Sequence, residues 1–220
     1  MIPSATAFWI LAASPAASYR YSGGTVIASG AVRVDDLARL GTGQVLANAG
    51  GSLILNYNGA GQLLQLTPFL TGDGSFIKEG SGDVVIDVAN TYTGGTTIRA
   101  GRLGLNDGDA LGTGAIQIDA GAELGVGGII LNNDLTGSGV VRKTANNTVE
   151  LYGDNSGFTG TIRVEDGDVL VTNGAALGSG SGGERRKGRG GSAGGGPPTR
   201  AAPTADQGTG RAARGARGGV

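Results

Sequence analysis

The sequence predicts an all-β fold, a parallel β-helix built from stacked coils. The first observation behind this prediction is composition, because the 220 residues include 46 Gly but no Cys, no His and only 5% aromatic residues. Average Gly usage is about 7%, so a content roughly three times higher indicates many tight turns. Short Val, Ile and Leu runs lie between these glycines, as expected of short strands joined by turns.

The second observation is internal repetition. Tyr21 to Leu55 matches Tyr92 to Val126 without a gap, and Phe158 to Gly180 matches the first part of that unit again. Leu70 to Lys78 (LTGDGSFIK) also recurs as Leu135 to Lys143 (LTGSGVVRK). The unit of about 66 to 71 residues exceeds one solenoid coil of roughly 20 to 45 residues. We therefore expect about three coils in each unit and seven or eight in the body.

Within the central unit, apolar residues alternate with polar ones at the period of a β-strand. Ile116-Gln117-Ile118 is an example, with Ile predicted inward and Gln outward. Stacking the inward positions coil on coil gives aliphatic ladders, and no helix longer than one turn is indicated. The predicted strands are Ser75 to Ile77, Val84 to Val88, Thr96 to Ile98, Leu103 to Leu105, Ile116 to Ile118 and Leu124 to Val126.

The turns between these strands have their own recurring residues. Glycines are expected where the chain turns sharply, often with positive φ. An Asn amide before the aromatic position can bond turn backbone, and the LGTG box reads as a turn between coils. The residues expected at these turns are Asn90, Tyr92, Gly94, Gly95, Gly101, Leu111, Gly112 and Gly114.

Composition divides the chain into three segments. Residues 1–16 form an uncertain amino-terminal segment. It resembles a secretory signal only weakly, because such signals begin with positive charge and the first positive residue here is Arg20. A truncated repeat or a misassigned start is favoured. Residues 17–177 form the β-helical domain, whose third copy is truncated. Residues 178–220 contain no Val, Ile, Leu or aromatic residue before Val220, so disorder is expected. A shifted reading frame would give such a tail, and so would a natural linker.

Charge separates the body from this tail. Residues 1–177 hold nine Lys or Arg and 16 Asp or Glu, whereas residues 178–220 hold eight and two. The acidic body argues against nucleic acid as its partner. Arg189 to Gly191 and Arg217 to Gly219 in the tail are weak candidates for binding RNA or another anionic polymer. The lack of His and Cys excludes imidazole catalysis and thiolate metal sites.

Three weaker site hypotheses remain open at the level of sequence. Asp107 and Asp109 are weak candidates for binding calcium, although acids exposed to solvent on a turn explain them more simply. Asp35 and Asp36 align with Asn106 and Asp107, so a row of weak cation sites along the repeat stays an open alternative. The same acids could serve a polysaccharide-active enzyme, but the one Trp lies in the amino-terminal segment and few Arg or Lys accompany the acids. Tyr21, Tyr92 and Phe158 recur at one position, where covering the edge of the coil is favoured over stacking on sugars.

The segment from Gly80 to Val126 resembles the autotransporter-associated β-strand repeat of Gram-negative type V secretion passengers. The matching residues are Asn90, Tyr92, Thr93, Gly94, Gly95, Thr96, Gly101, Leu103, Leu111, Gly112 and Gly114. Further copies extend the likeness over roughly residues 17–180.

This resemblance implies a right-handed parallel β-helix that is threaded through an outer-membrane translocator barrel and folds at the cell surface. It implies a structural role that promotes export, with no catalysis and no cofactor. The alternatives are an adhesin that binds host glycans or matrix through outward strand faces, and a polysaccharide-active β-helix enzyme.

Overall fold

A computed structural model gives the structure of this protein and describes residues 8–10, 22–59, 64–65 and 70–180. Most of the amino-terminal segment and all but three residues of the expected tail lie outside these ranges. The boundaries at residues 16 and 177, and the expected disorder after residue 177, therefore stay predictions. No helix within the described ranges is long and apolar enough to cross a membrane.

The described residues form 19 short strands and one 3-10 helix, Leu37–Leu40. The strands in the first half are β1 (Phe8–Ile10), β2 (Thr25–Ile27), β3 (Gly30–Val34), β4 (Val45–Ala47), β5 (Gly51–Asn56), β6 (Leu64–Gln65), β7 (Leu70–Thr71), β8 (Ser75–Glu79), β9 (Asp83–Ile86) and β10 (Thr96–Ile98). Those in the second half are β11 (Arg102–Leu105), β12 (Ile116–Ile118), β13 (Glu123–Val126), β14 (Ile130–Leu131), β15 (Leu135–Gly137), β16 (Val140–Lys143), β17 (Thr148–Leu151), β18 (Thr161–Val164) and β19 (Asp168–Val171).

These strands stack into parallel sheets that form the faces of a β-solenoid of about seven turns. The first face is a seven-stranded sheet in the order β1-β3-β5-β8-β10-β12-β15, and the second is six-stranded in the order β18-β16-β13-β11-β9-β6. Two three-stranded sheets, β2-β4-β7 and β14-β17-β19, occupy the remaining position in the coil, which we call the third face. The predicted all-β parallel β-helix is confirmed.

One coil takes about 20 residues, since Thr96 pairs with Ile116 and Thr97 with Gln117 on the first face. Strands that repeat each other in sequence nevertheless lie on different faces. In the sequence β10 repeats β2, yet β2 is on the third face and β10 on the first; β18 repeats β10 and lies on the second. Each unit therefore spans three coils and one further face, so successive units are rotated by one face. The sequence prediction of about three coils missed this rotation.

Inward side chains form the core as continuous columns across coils. On the first face, one column joins Leu53, Phe76, Thr96 and Ile116 in register, and all four are buried. Fully burying an aliphatic or aromatic side chain contributes about 1.5–3 kcal/mol, so the ladder provides much of the attraction between coils. Strand β9 ends at Ile86 rather than at the predicted Val88. Val88 is exposed, and its carbonyl accepts a hydrogen bond from Asn90 Nδ2.

Candidate functional site

Asn90 is a buried clamp between three successive coils. Its Oδ1 accepts the backbone N–H of Leu70 at 2.7 Å, one coil earlier. Its Nδ2 donates to the carbonyl of Ala110 at 2.7 Å, one coil later, and to that of Val88 at 3.1 Å. The side chain is only 3% exposed, so each of these backbone groups would lose its partner away from bulk water if the amide were removed.

The next unit repeats this clamp with Asn155. Its Oδ1 accepts from the N–H of Leu135 at 2.7 Å, and its Nδ2 donates to the carbonyl of Ala176 at 2.6 Å. Asn155 is also buried. Because the amide is both donor and acceptor, Asn suits a position that must bond coils on both sides.

A side-chain cap shapes the turn that precedes each LGTG-like box. The Oδ1 atoms of Asp36, Asp107 and Asn173 each accept the backbone N–H two residues further on, at 2.9, 2.8 and 2.9 Å. This is the bond expected of an Asx turn. The sequence signal was an Asp or Asn four residues before the Leu of the box. A neutral Asn173 in the third copy indicates that the position needs an oxygen acceptor rather than a charge.

The acids considered for a cation therefore have a local role. Asp107 uses Oδ1 for the cap bond to Asp109 N–H, and Asp109 is exposed. Asp36, which aligns with Asp107, lies on a different part of the coil because units rotate by one face. Over the described ranges, no three His, Cys, Asp or Glu side chains group closely enough to hold a metal ion.

The glycines of the LGTG box allow the coils to approach closely. Gly112 has φ of 60°, and a Cβ there would lie 2.0 Å from the carbonyl oxygen of Tyr92. Gly114 has no positive φ, but a Cβ there would lie 2.3 Å from the nitrogen of Gly95. Neither position has room for another residue type. Leu111 between the cap and these glycines is buried.

The other turn glycines lie at two kinds of corner. Gly95 and Gly101 have φ of 83° and 66°, the left-handed region that favours glycine. Gly94 packs against the preceding coil, where a Cβ would meet the carbonyl oxygen of Gly74 at 2.5 Å.

The recurring aromatic position lies inside the core. Tyr92 and Phe158 are 1% and 0% exposed, so neither can stack on a ligand; Tyr21 lies outside the described residues. The Tyr92 hydroxyl bonds Thr96 Oγ1 at 2.5 Å, and burial raises the pKa of this phenol. In the third copy, Phe158 replaces Tyr and Ile162 replaces Thr96 in the aligned position. The polar pair and the apolar pair are thus alternative ways to fill one corner.

Two lysines are buried in aliphatic columns, and sequence reasoning missed both. Lys78 lies in register between Leu55 and Ile98, and its Nζ donates to the carbonyls of Glu79, Gly80 and Ala100 at 3.0, 2.8 and 3.1 Å. Burial lowers the pKa of Lys78 to about 8, against the opposing effect of the Asp83 carboxylate. The ammonium holds three carbonyls at a corner between two coils.

Lys143 occupies the corresponding position in the next unit. Its Nζ donates to the carbonyl of Ala145, to Asn147 Oδ1 at 2.9 Å and to the carbonyl of Asp166 at 3.4 Å. Burial lowers the pKa of this amine too, while Asp166 and Asp168 raise it.

Paired charges line the outer surfaces of the first and second faces. On the first face, Glu79 Oε2 lies 2.7 Å from Arg33 Nη2, and its Oε1 lies 2.6 Å from Arg99 Nη1. On the second face the chain of ion pairs runs from Arg102 through Glu123 and Arg142 to Glu165. Each exposed pair contributes about 0–1 kcal/mol, so their main effect is to neutralise these two faces.

Comparisons with known proteins find one family model and two related proteins. A family model described as a passenger-associated transport repeat matches residues 10–34 and 76–105. The chain is 28% identical over 178 residues to the uncharacterized lipoprotein YdeK of Escherichia coli (strain K12), covering 70% of this chain and 13% of that protein. It is 34% identical over 103 residues to the adhesin BmaC autotransporter of Brucella suis biovar 1 (strain 1330), covering 45% of this chain and 3% of that protein.

The chain thus spans a small part of each relative, and no solved structure matches it significantly. The two segments matched by the family model lie at the beginning of the first and the central unit. Both units contain the same strands, corners and capped turn. The parallel solenoid and these matches together support an autotransporter passenger repeat in this chain.

Proposed function

We propose that this chain is a structural segment of an autotransporter passenger that promotes export and has no catalytic activity. It acts at the surface of a Gram-negative bacterium, at its outer membrane or after secretion. The observation that supports this most is that the bonds holding each coil run to the coils immediately before and after it, as those of Asn90 do. Stability in such a solenoid is a sum of nearest-neighbour terms.

Nearest-neighbour stability gives export a physical driving force. Each coil that emerges from a translocator barrel in the outer membrane buries its inward residues on the coil already formed. Once in each unit, an Asn clamp and a cap also satisfy backbone groups at the newly joined coils. Folding outside the cell makes backward movement unfavourable, so a barrel partner and a solenoid that folds in order are both required.

An export assay tests this proposal. The full chain is fused to a heterologous translocator barrel, and the surface-exposed fraction is measured by protease accessibility in intact cells. The variants Asn90→Ala and Asn155→Ala, which weaken coil joining, are compared with the outward substitution Thr97→Ala. We expect the clamp variants to lower surface exposure and the outward control to leave it unchanged. Equal export of all variants would contradict a role for progressive folding.

An adhesin function is the second candidate, and it is supported by the likeness to a protein named as an adhesin. On this hypothesis the outward strand faces would contact host glycans or matrix proteins. A glycan and matrix array probed with the folded chain tests it directly. Absence of binding to every component would remove this candidate while leaving the export proposal intact.

A further inference from the structure

The third face of the solenoid differs chemically from the other two. The first and second faces present arginines and glutamates that neutralise one another. Among the described residues, no exposed large apolar side chain lies on a strand of those two faces, whereas Val26, Leu46, Ile130, Leu170 and Val171 lie on strands of the third face. Concentration of exposed apolar groups on one side of a soluble protein is typical of an interaction surface.

The best-defined part of this face is a patch on the sheet β14-β17-β19. Ile130, Glu150 and Leu170 are in register on the three strands, which places the two aliphatic side chains about 10 Å apart. Tyr152 lies beside them, and its hydroxyl donates to Glu150 Oε2 at 3.0 Å. Ile130, Tyr152 and Leu170 are 50%, 47% and 48% exposed. We call these three residues, together with Glu150, the third-face patch.

One carboxylate without a cationic partner lies in this patch, and two more lie close to it along the chain. Glu150, Asp134 and Asp154 make no ion pair within the described part of the chain, unlike the glutamates of the other faces. Asp134 accepts the backbone N–H of Asp154, which in turn accepts that of Ser156. The segments 127–134, 145–155 and 168–173 contain no Lys or Arg. The patch is therefore both apolar and negatively charged.

We propose that the third-face patch is a docking surface for a polypeptide segment that carries positive charge together with apolar side chains. Aliphatic and aromatic anchors provide contact area, and unpaired carboxylates favour a cationic partner while repelling acidic ones. This proposal concerns a binding surface and does not depend on the export role.

The test uses the full-length chain and two synthetic probes. One probe is an amphipathic peptide containing Lys and Trp, and the other has every Lys replaced by Glu. Binding is followed by fluorescence anisotropy at low and at physiological ionic strength. We expect the basic peptide to bind, with affinity falling as salt screens the carboxylates, and the acidic peptide not to bind.

Matched variants locate the binding. Combining Ile130→Ser, Tyr152→Ser and Leu170→Ser should weaken binding by about tenfold or more. Val26→Ser with Leu46→Ser removes exposed apolar groups from the other sheet of the third face and should leave binding unchanged. Glu150→Gln, a milder change that preserves the fold, should weaken binding and reduce its dependence on salt.

Several results would overturn the proposal. Equal binding of the acidic peptide would do so, as would unchanged affinity in the patch variants. Self-association or binding to zwitterionic vesicles that the triple variant abolishes would assign the patch to a second copy or to lipid instead.

Discussion

The buried pair of Tyr92 and Thr96 leads to a prediction that can be worked through quantitatively. Their hydroxyls bond each other at 2.5 Å in a corner that excludes water. Tyr92→Phe leaves the Thr96 hydroxyl without this partner, and Thr96→Val does the same to the phenol. Leaving a buried polar group unsatisfied costs about 1–3 kcal/mol, so each single variant should lose that much stability.

The double variant should behave differently. Replacing both partners with apolar groups of similar shape is nearly neutral, and the third copy of the repeat already contains such a pair in Phe158 and Ile162. Tyr92→Phe combined with Thr96→Val should therefore recover most of the loss. The coupling free energy between the two positions should then approach the sum of the two single losses, about 2–6 kcal/mol.

Urea unfolding followed by far-UV circular dichroism measures this cycle, with the slope m compared across all four proteins to check that the transition is unchanged. Phe158→Tyr is the reciprocal control, since it places a hydroxyl beside Ile162 and should be destabilising unless Ile162→Thr accompanies it. A double variant whose loss equals the sum of the two single losses would refute the reasoning, because the hydroxyls would then contribute independently.

Three further predictions concern the clamp, the buried lysine and the cap. Asn90→Ala leaves a backbone donor and a backbone acceptor of neighbouring coils unpaired, so the free energy of unfolding, again measured in urea, should fall by about 2–5 kcal/mol. A loss no larger than that caused by replacing an exposed Asn with Ala would contradict the role of Asn90 as a clamp. For Lys78, whose folded pKa of about 8 is below the ordinary value of 10.5, the unfolded chain binds more protons between these values, so stability should rise with pH above 8. Melting temperatures between pH 8 and 9.5 should show this rise, and Lys78→Met should reduce it, leaving the part that the buried Lys143 contributes. An equal rise in that variant would assign the effect elsewhere. Asp107→Ala should cost about 1 kcal/mol through loss of the cap whereas Asp107→Asn should cost little, and equal losses in thermal denaturation would indicate that the charge matters.

The sequence allowed the fold class and most strands to be predicted because inward residues repeat with period two. Ile116 and Ile118 are both fully buried, as that alternation requires. The strand predicted to end at Ile77 instead continues to Glu79 and buries Lys78, a residue type that is seldom buried. Only the structure shows three carbonyls converging on Lys78 Nζ.

The rotation between units was also beyond reach of the sequence. A repeat length counts residues, whereas the face on which a strand lies depends on how many corners precede it. The capping role of Asp107 was hidden for another reason: an acid on a glycine turn fits a cation loop as well as a cap. Asn173 at the aligned position favours the cap over the cation loop, since it keeps the acceptor oxygen without the charge.

Cysteine cross-linking tests most directly whether coils of about 20 residues stack while units rotate by one face. The native chain contains no Cys, so pairs can be introduced cleanly at outward positions. Thr97→Cys with Gln117→Cys places the thiols on adjacent strands in register, and these should form a disulfide rapidly under mild oxidation. Val26→Cys with Thr97→Cys joins positions that match in the repeat but lie on different faces, and these should not. A disulfide in the second pair, or none in the first, would contradict the solenoid described.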